Sequence, residues 1–285
     1  MMASTLNFLI VDGYPEKSRN EFGEAGMTLA WKLYANMLHH YLPDAIYTVW
    51  LPSDHQPIPS KSTLEAYDGI LWTGCNLSVY ALDNPSVVNQ IELAKMAYSI
   101  GIPSFGSCWG LQISVVAAGG AVEAHPNGRE MGIARKIGLT PEAQNHPMYE
   151  GKSSVFEAFI SHEDHVTKLP PGATLLAGNS HSRVQALDIT HEKGTFWSVQ
   201  YHPEYNLHEM ARLIVARKER LTQMGFYASH EDAIRMVERM EELHEAPDRK
   251  DLRWQLVIDD DVLSQSVRQR EFANWIKFQI LTSGN

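Results

Sequence analysis

Short apolar runs alternate with amphipathic segments in the first part of the chain. Residues 6–11, 45–51 and 67–74 are apolar stretches bounded by Gly, Pro or Asp, which is typical of buried parallel strands. Residues 27–41 and 87–100 carry apolar side chains at helical spacing. This rhythm predicts an α/β domain with a mostly parallel sheet, helices on both faces, and a site at the carboxyl ends of the strands.

The hydrophobic pattern changes after the first helices and strands. From residue 121 to residue 194, short alternating runs are separated by Gly, Pro and Asn, which predicts an antiparallel insertion with loops. Apolar stripes at helical spacing then follow Leu207, the capping sequence that begins at Ser229, and the acidic run at Asp259.

These changes in pattern suggest a division of the chain. We predict one catalytic domain over residues 1–205 and a C-terminal helical extension over residues 206–285. Apolar stripes of this kind are most often packing surfaces. We therefore expect the extension to pack on the domain or to lie at an oligomer interface.

Composition excludes several classes of function. The chain has 285 residues, 44% of them hydrophobic, and a formal net charge of −10, without the basic stripe that nucleic acid or an anionic membrane requires. The N-terminus has no basic leader, and no apolar run reaches membrane-spanning length. Two cysteines cannot form a disulfide framework. We expect a soluble, cytoplasmic protein that binds neither nucleic acid nor membrane.

A metal or another cofactor is not expected either. His162 and His165 lie three positions apart beside two acids, but the surrounding loop offers no third soft ligand. The two cysteines lack the spacing of a zinc site. The C-terminal segment contains no glycine-rich phosphate loop.

The sequence around Cys108 has the form of a nucleophile elbow. Gly106 and Gly110 flank the cysteine between an apolar strand and an apolar helix, so that the backbone can turn tightly and present the side chain above the sheet. The helix N-terminus favours the thiolate, which is the nucleophilic form. A buried structural cysteine is the alternative interpretation of this motif alone.

A base and an acid follow a second strand. Residues 195–201 are apolar and aromatic, and they lead directly into His202, Pro203 and Glu204. A nucleophilic cysteine needs a histidine to accept its proton and later to protonate the leaving amine, and the histidine needs an acceptor that fixes its tautomer. A surface His-Pro-Glu turn is the structural alternative. Together, the two motifs favour catalysis.

The Gly106–Gln112 segment and the His202–Glu204 segment together resemble the catalytic motifs of class I glutamine amidotransferases. The chain is most similar to free-standing proteins that resemble the glutaminase domain of GMP synthetase, over about residues 5–205. The resemblance implies a flavodoxin-like α/β fold. It also implies a triad in which Cys108 is the nucleophile, His202 the base and Glu204 the orienting acid.

The same resemblance implies further site residues. The backbone N–H of Trp109 and the loop at Gly74 and Cys75 would form the oxyanion hole, although Cys75 occupies a position where the family often has glycine. In the family, the loop aligned with Ser161, His162 and Asp164 faces the α-amino and α-carboxylate groups of glutamine. The resemblance makes Asp164 the ammonium partner, and Gln112 helps to hold the substrate.

The sequence leaves several functions open. The favoured hypothesis is glutamine hydrolysis, with ammonia passed to an acceptor on a separate synthetase, since no synthetase half is recognisable in this sequence. A γ-glutamyl peptidase acting alone needs the same triad. A dienelactone-type α/β-hydrolase would place its acid before a late histidine, whereas Glu204 follows His202. A non-catalytic regulatory or binding subunit is the remaining alternative. The sequence does not determine the acceptor, the partner or homo-oligomerisation.

Overall fold

The computed structural model describes residues 5–282. The strands are β1 (Asn7–Val11), β2 (Ile46–Trp50), β3 (Gly69–Trp72), β4 (Ser104–Ser107), β5 (Ala121–Ala124), β6 (Glu130–Leu139), β7 (Val155–His162), β8 (Asp164–Lys168), β9 (Ala173–Gly178), β10 (Ala186–His191) and β11 (Gly194–Val199). The helices are α1 (Glu16–Glu24), α2 (Ala30–Tyr41), α3 (Lys61–Leu64), α4 (Pro85–Ile100), α5 (Trp109–Ala117), α6 (Leu207–Gln223), α7 (His230–Glu245), α8 (Lys250–Leu256), α9 (Asp260–Leu263), α10 (Gln265–Arg268) and α11 (Arg270–Trp275), which continues as a π-helical turn, Ile276–Ile280.

Nine strands of the described residues form one sheet in the order β2-β1-β3-β4-β11-β10-β9-β6-β7. The first five strands in this order, β2, β1, β3, β4 and β11, are parallel to one another. The last four, β10, β9, β6 and β7, continue the sheet in antiparallel fashion. The short strands β5 and β8 pair separately. Within the segment predicted as an antiparallel insertion with loops, β6, β7, β9 and β10 extend the main sheet, whereas β5 and β8 form the separate pair.

The parallel strands are apolar because both of their faces are covered. Phe8 of β1 belongs to one buried cluster, and Leu9 belongs to the cluster on the opposite face. Phe272 and Trp275 of α11 complete the first cluster and contact the ring of Phe105. The end of the chain thus covers part of the central sheet. A third cluster joins α1 and α2 to α6 and α7.

The C-terminal helices differ in detail from the predicted ones. α6 and α7 begin near the expected positions, and the Ser229 hydroxyl accepts a hydrogen bond from Asp232 N as predicted for a helix cap. The predicted third helix after Asp259 is broken, because Ser264 adopts an extended conformation between α9 and α10. α1 was not predicted, since its only buried side chains are Ser18 and Phe22. None of the helices within residues 5–282 has the length and apolarity needed to cross a bilayer.

Candidate active site

Cys108 lies in a strained turn between β4 and α5. Its backbone has φ 51° and ψ −96°, a conformation that costs about 1–3 kcal/mol and that is common at functional sites. Gly106 and Gly110 are required on either side. A Cβ at Gly106 would lie 2.9 Å from the Gly110 Cα, and a Cβ at Gly110 would lie 2.9 Å from the Trp72 Cβ. The predicted elbow is therefore tightly packed from both sides.

Two parallel strands bring the nucleophile and the base to the same edge of the sheet. β4 pairs with β11, and the backbone N–H of Cys108 donates a hydrogen bond of 2.8 Å to the Val199 carbonyl at the end of β11. Three residues later, the His202 N–H donates to the Phe159 carbonyl, also at 2.8 Å. These backbone bonds hold the turn that presents the imidazole above Cys108.

The imidazole of His202 is held on several sides. Its Nδ1–H donates to Glu204 Oε1 at 2.7 Å, and both side chains are almost fully buried. The ring stacks on Tyr205 with a centroid separation of 4.2 Å and an interplanar angle of 4°. Burial opposes protonation, but Glu204 and the contact with Cys108 together raise the pKa of His202 to about 10. His202 therefore carries a proton at neutral pH.

A chain of hydroxyl groups orients the acid. Ser107 Oγ donates a hydrogen bond of 2.9 Å to Glu204 Oε1, and the Tyr34 hydroxyl donates to Ser107 Oγ at 2.7 Å. These groups are buried, so solvent does not compete with the bonds. Neither Tyr34 nor Ser107 was among the predicted site residues. Ser107 adjoins the nucleophile in sequence, but only the fold shows that its hydroxyl faces the acid.

The residues predicted for the oxyanion hole lie around this pair. Trp109 begins α5, and its ring Nε1–H is fixed by a hydrogen bond of 2.8 Å to Gln90. Gly74 lies against the base, since a Cβ at this position would be 3.0 Å from His202 Cε1. The Cys75 thiol accepts a hydrogen bond from the Leu77 N–H at 3.4 Å, and burial raises its pKa. Cys75 is therefore a poor nucleophile.

The predicted substrate residues share one cavity with the nucleophile. The cavity has a volume of about 800 Å³, within the range of small-molecule sites. The predicted residues that line it are Cys75, Cys108, Gln112, Ser161, His162 and Asp164. The thiol of Cys108 donates to the Ser161 carbonyl at a distance of 3.7 Å. The β7–β8 turn thus lies directly beside the nucleophile.

Two polar contacts fix the ring of His162 in this turn. His162 Nδ1–H donates to the Asp164 carbonyl at 2.8 Å, and its Nε2 lies 3.0 Å from Glu130 Oε2. The ring of His165 packs against His125, with centroids 4.3 Å apart. Within residues 5–282, no group of three or more His, Cys, Asp or Glu side chains is arranged to hold a metal ion.

Charged side chains that the motifs did not indicate also line the cavity. Arg129 and Arg217 both donate to Ser161 Oγ, at 3.2 and 3.0 Å. Arg129 and Arg220 both bind Glu163, each at 2.7 Å. Arg217 and Arg220 belong to α6, beyond residue 205. Their helical stripe indicated only a packing surface, because the sequence alone does not show which polar positions of a helix face a cavity.

Comparison with known proteins identifies the family. The family model described as glutamine amidotransferase class-I matches residues 33–219, a range that begins in α2 and ends in α6. A glutamine amidotransferase structure from Thermotoga maritima has a TM-score of 0.66 at 18% identity and covers 94% of this chain and 99% of that chain. A glutamine amidotransferase from Methylobacillus flagellatus has a TM-score of 0.62 at 19% identity, covering 96% and 95%. At these identities the likeness shows the fold.

Many known proteins are similar to this chain in sequence. The gamma-glutamyl-L-1-hydroxyisopropylamide hydrolase of a Pseudomonas species is 37% identical over 225 residues, which cover 78% of this chain and 75% of that protein. The glutamine-hydrolyzing GMP synthase of Thermosipho africanus is 35% identical over 135 residues, 47% of this chain and 24% of that protein. The chain therefore matches about a quarter of the synthase. With its matched family model, it belongs to the class-I glutamine amidotransferase family.

Proposed function

We propose that the chain hydrolyses the γ-amide bond of γ-glutamyl compounds through a covalent thioester on Cys108. The observation that supports this most is the strained elbow, whose thiol lines a cavity and also contacts the His202–Glu204 pair. A thiol, a protonated imidazole and a buried carboxylate in this order supply a nucleophile, a proton donor and an orienting charge.

The first half-reaction forms the thioester. His202 holds the proton of the Cys108 thiol as an imidazolium. The thiolate attacks the γ-carbonyl carbon and forms an S–C bond, while the carbonyl electron pair moves to oxygen. The backbone N–H of Trp109 and that of the loop at Gly74 and Cys75 would stabilise this oxyanion, each contributing about 10²–10³ in rate. When the carbonyl re-forms, the C–N bond breaks and His202 donates its proton to the leaving nitrogen.

The second half-reaction releases glutamate. A water molecule gives a proton to the now neutral His202 and adds its oxygen to the thioester carbon. Collapse of this second tetrahedral species breaks the S–C bond, frees glutamate and regenerates the Cys108 thiolate. Glu204 holds the Nδ1–H throughout, so that Nε2 remains the site of proton exchange.

The γ-glutamyl group would be held by the residues that the sequence predicted. Asp164 lines the cavity with its carboxylate close to the Tyr80 hydroxyl, at 3.1 Å, and it is the proposed partner of the substrate ammonium. Gln112 and Ser161 would complete the contacts. His162 would act mainly by fixing the turn, since its ring contacts Glu130 and the Asp164 backbone.

Two leaving groups fit this chemistry. In the first proposal the substrate is glutamine, and ammonia passes to an acceptor on a separate synthetase. In the second, the substrate is a γ-glutamyl conjugate, and the chain acts alone. The second is supported by the Pseudomonas relative, which is named for a γ-glutamyl amide and matches three quarters of its own length, and by the volume of the cavity. The thiol chemistry is identical in both proposals.

Glutamate release by the isolated chain tests these proposals. The substrates are glutamine, γ-glutamyl-L-alanine and γ-glutamyl-L-1-hydroxyisopropylamide, with Cys108→Ala as the inactive control. Release from any of them that the control lacks supports the thioester mechanism. A preference of about a hundredfold or more for a conjugate in kcat/KM contradicts the glutamine proposal. If wild type releases glutamate from none of the three, both proposals fail for the isolated chain, and the alternative of a non-catalytic subunit is favoured.

The proposal also includes the cellular compartment and the oligomeric state. The nucleophile must stay a free thiol, which a reducing cytoplasm provides. Both cysteines are unpaired in the structure. Self-association through the C-terminal helices stays a prediction that sedimentation of the purified chain can test.

A further inference from the structure

The cavity contains a guanidinium without an anionic partner. Arg217 donates to the neutral hydroxyl of Ser161 at 3.0 Å, and its guanidinium lies over the ring of Phe22, 5.8 Å from the centroid. No carboxylate of residues 5–282 forms an ion pair with it, whereas Arg129 and Arg220 share Glu163. Arg217 is partly buried, so its charge is only partly compensated by water.

The same cavity contains a carboxylate without a cationic partner. Asp164 accepts a hydrogen bond from the Tyr80 hydroxyl at 3.1 Å, and no cation of the described residues forms an ion pair with it. Burial raises the pKa of Asp164, and the neighbouring charge of Glu163 adds to this effect. Among the buried and partly buried carboxylates and guanidinium groups that line the cavity, Asp164 and Arg217 are thus the pair without ion-pair partners, whereas Glu219, also unpaired, is exposed. One such charge of each sign is the complement of an α-ammonium and an α-carboxylate on one carbon.

The β7–β8 turn relates both charges to the nucleophile. The carbonyl of Ser161 is 3.7 Å from Cys108 Sγ, and its hydroxyl is 3.0 Å from the Arg217 guanidinium. Asp164 follows three positions later. In an extended γ-glutamyl group, the α-carboxylate lies about 5 Å from the carbonyl carbon that is attacked. Ser161 thus contacts the nucleophile through its carbonyl and the guanidinium through its hydroxyl, and a γ-glutamyl group attacked at Cys108 would extend along this residue.

We propose that Arg217, with Arg129 beside it, binds the α-carboxylate of the γ-glutamyl group. This inference rests on the proposed function and adds to it the residue that selects γ-glutamyl groups with a free α-carboxylate. A glutamine side chain within a polypeptide has an amide at that position and is rejected, since it leaves the partly buried guanidinium without an anionic partner. A residue of α6 thereby sets the specificity of the thiol in the turn before α5.

The test compares substrates that differ only in this charge. Wild type and Arg217→Gln are assayed for release of glutamate from glutamine, and for release of glutamate α-amide from the α-carboxamide of glutamine. Arg217→Gln should raise KM for glutamine by about 10–100-fold, the value of a lost charged hydrogen bond, with little change in kcat. The carboxamide should be affected at most about threefold. Discrimination between the two substrates therefore collapses in the variant.

Two further variants keep this test independent of folding. Lys218→Gln removes the same charge from the neighbouring position of α6 and should retain wild-type kinetics. Arg217→Lys retains the charge without the planar fork and should recover part of the discrimination. If Arg217→Gln does not fold, as judged by circular dichroism, the comparison uses Arg217→Lys. An equal loss on glutamine and its carboxamide overturns the proposal.

Two additional comparisons distinguish binding of the leaving group from binding of the γ-glutamyl group, and failure of this proposal from failure of the proposed function. A loss confined to γ-glutamyl-L-alanine, with γ-glutamyl-L-1-hydroxyisopropylamide unaffected, means that Arg217 binds a leaving-group carboxylate, which also overturns the proposal. If wild type cleaves no substrate, the proposed function fails, and calorimetric binding of L-glutamate to Cys108→Ala becomes the readout. Binding that Arg217→Gln abolishes in this background supports the subsite. Equal binding, or none in Cys108→Ala, contradicts it.

Discussion

Replacing Glu204 by glutamine should shift the alkaline limb of the kcat/KM profile to lower pH by about two to three units. Glutamine retains the size of the side chain and can still accept the His202 Nδ1–H, but it lacks the negative charge. Burial by itself lowers the pKa of His202, so the anionic partners must supply more than the whole rise from 6.5 to about 10. Glu204 is the largest of these contributions.

The size of the shift follows from the same values. A rise from 6.5 to about 10 corresponds to about 5 kcal/mol in favour of the imidazolium. Removal of the Glu204 charge cancels most of it, while the contact with Cys108 remains. Because His202 must be protonated to release the amine, wild type should stay active until the pH approaches 10. The variant should lose activity as the pH rises through about 7 to 8.

The raised pKa also makes a prediction about folding. The stability that His202 contributes is fully present below pH 6.5, where the unfolded chain is protonated too, and it is lost as the pH rises towards 10. The melting temperature of wild type should therefore fall over this interval more steeply than that of Glu204→Gln. Thermal unfolding at a series of pH values measures the difference.

The assay is glutamate release at subsaturating glutamine between pH 5 and pH 11. Glu209→Gln is the matched control, because Glu209 is also buried and acidic but accepts a hydrogen bond from Thr28 N at 2.9 Å, away from the imidazole. Its profile should match wild type. An unchanged alkaline limb in Glu204→Gln would falsify the assigned pairing, and a shifted limb in Glu209→Gln would identify that acid as the partner.

Three other changes test the remaining features of the site. Cys108→Ala should abolish turnover with an unchanged circular dichroism spectrum, and a glutamine-like electrophile should label Cys108 and spare Cys75, as mass spectrometry can show; labelling of Cys75 alone contradicts the assignment. Ser107→Ala removes a hydroxyl that bonds the catalytic acid, so kcat should fall about tenfold at constant KM, and an unchanged kcat rules out an orienting role. Gly110→Ala should lower the free energy of unfolding by about 1–3 kcal/mol, whereas Gly23→Ala, which has open space, should not; equal denaturation midpoints contradict the packing argument.

The family and the α/β fold were predicted from the sequence and are confirmed. The sequence motif that indicates the family is local, because a nucleophile elbow requires glycine on both sides of Cys108 within five consecutive residues. The expectation that the elbow lies at the carboxyl ends of the strands follows from the rule that parallel strands end at one edge. The pairing of β4 with β11 was not predicted, because an antiparallel insertion separates the two strands in sequence. The functional roles of the three triad residues remain predictions until the variants are assayed.

The groups around the triad could not be predicted in this way. Tyr34 reaches Ser107 across 73 positions of sequence, and Arg217 reaches Ser161 across 56. No motif joins such pairs, because each contact depends on the packing of a whole helix against the sheet. Polar residues on helices are ordinarily solvated, so their type alone gives no reason to place them in a cavity.

One side of α6 carries both its packing residues and Arg217. Met210 and Ile214 are buried in the cluster that joins this helix to α1 and α7, and the partly buried Arg217 follows Ile214 on the same side of the helix. The apolar stripe that indicated packing therefore also fixes the direction of the guanidinium. Packing and substrate recognition are thus two consequences of one helical surface. A substitution such as Ile214→Ala, which creates a void beneath Arg217, should consequently lower stability and raise KM for glutamine together. Measuring both in one variant distinguishes this coupling from a purely structural helix, which would lower stability alone.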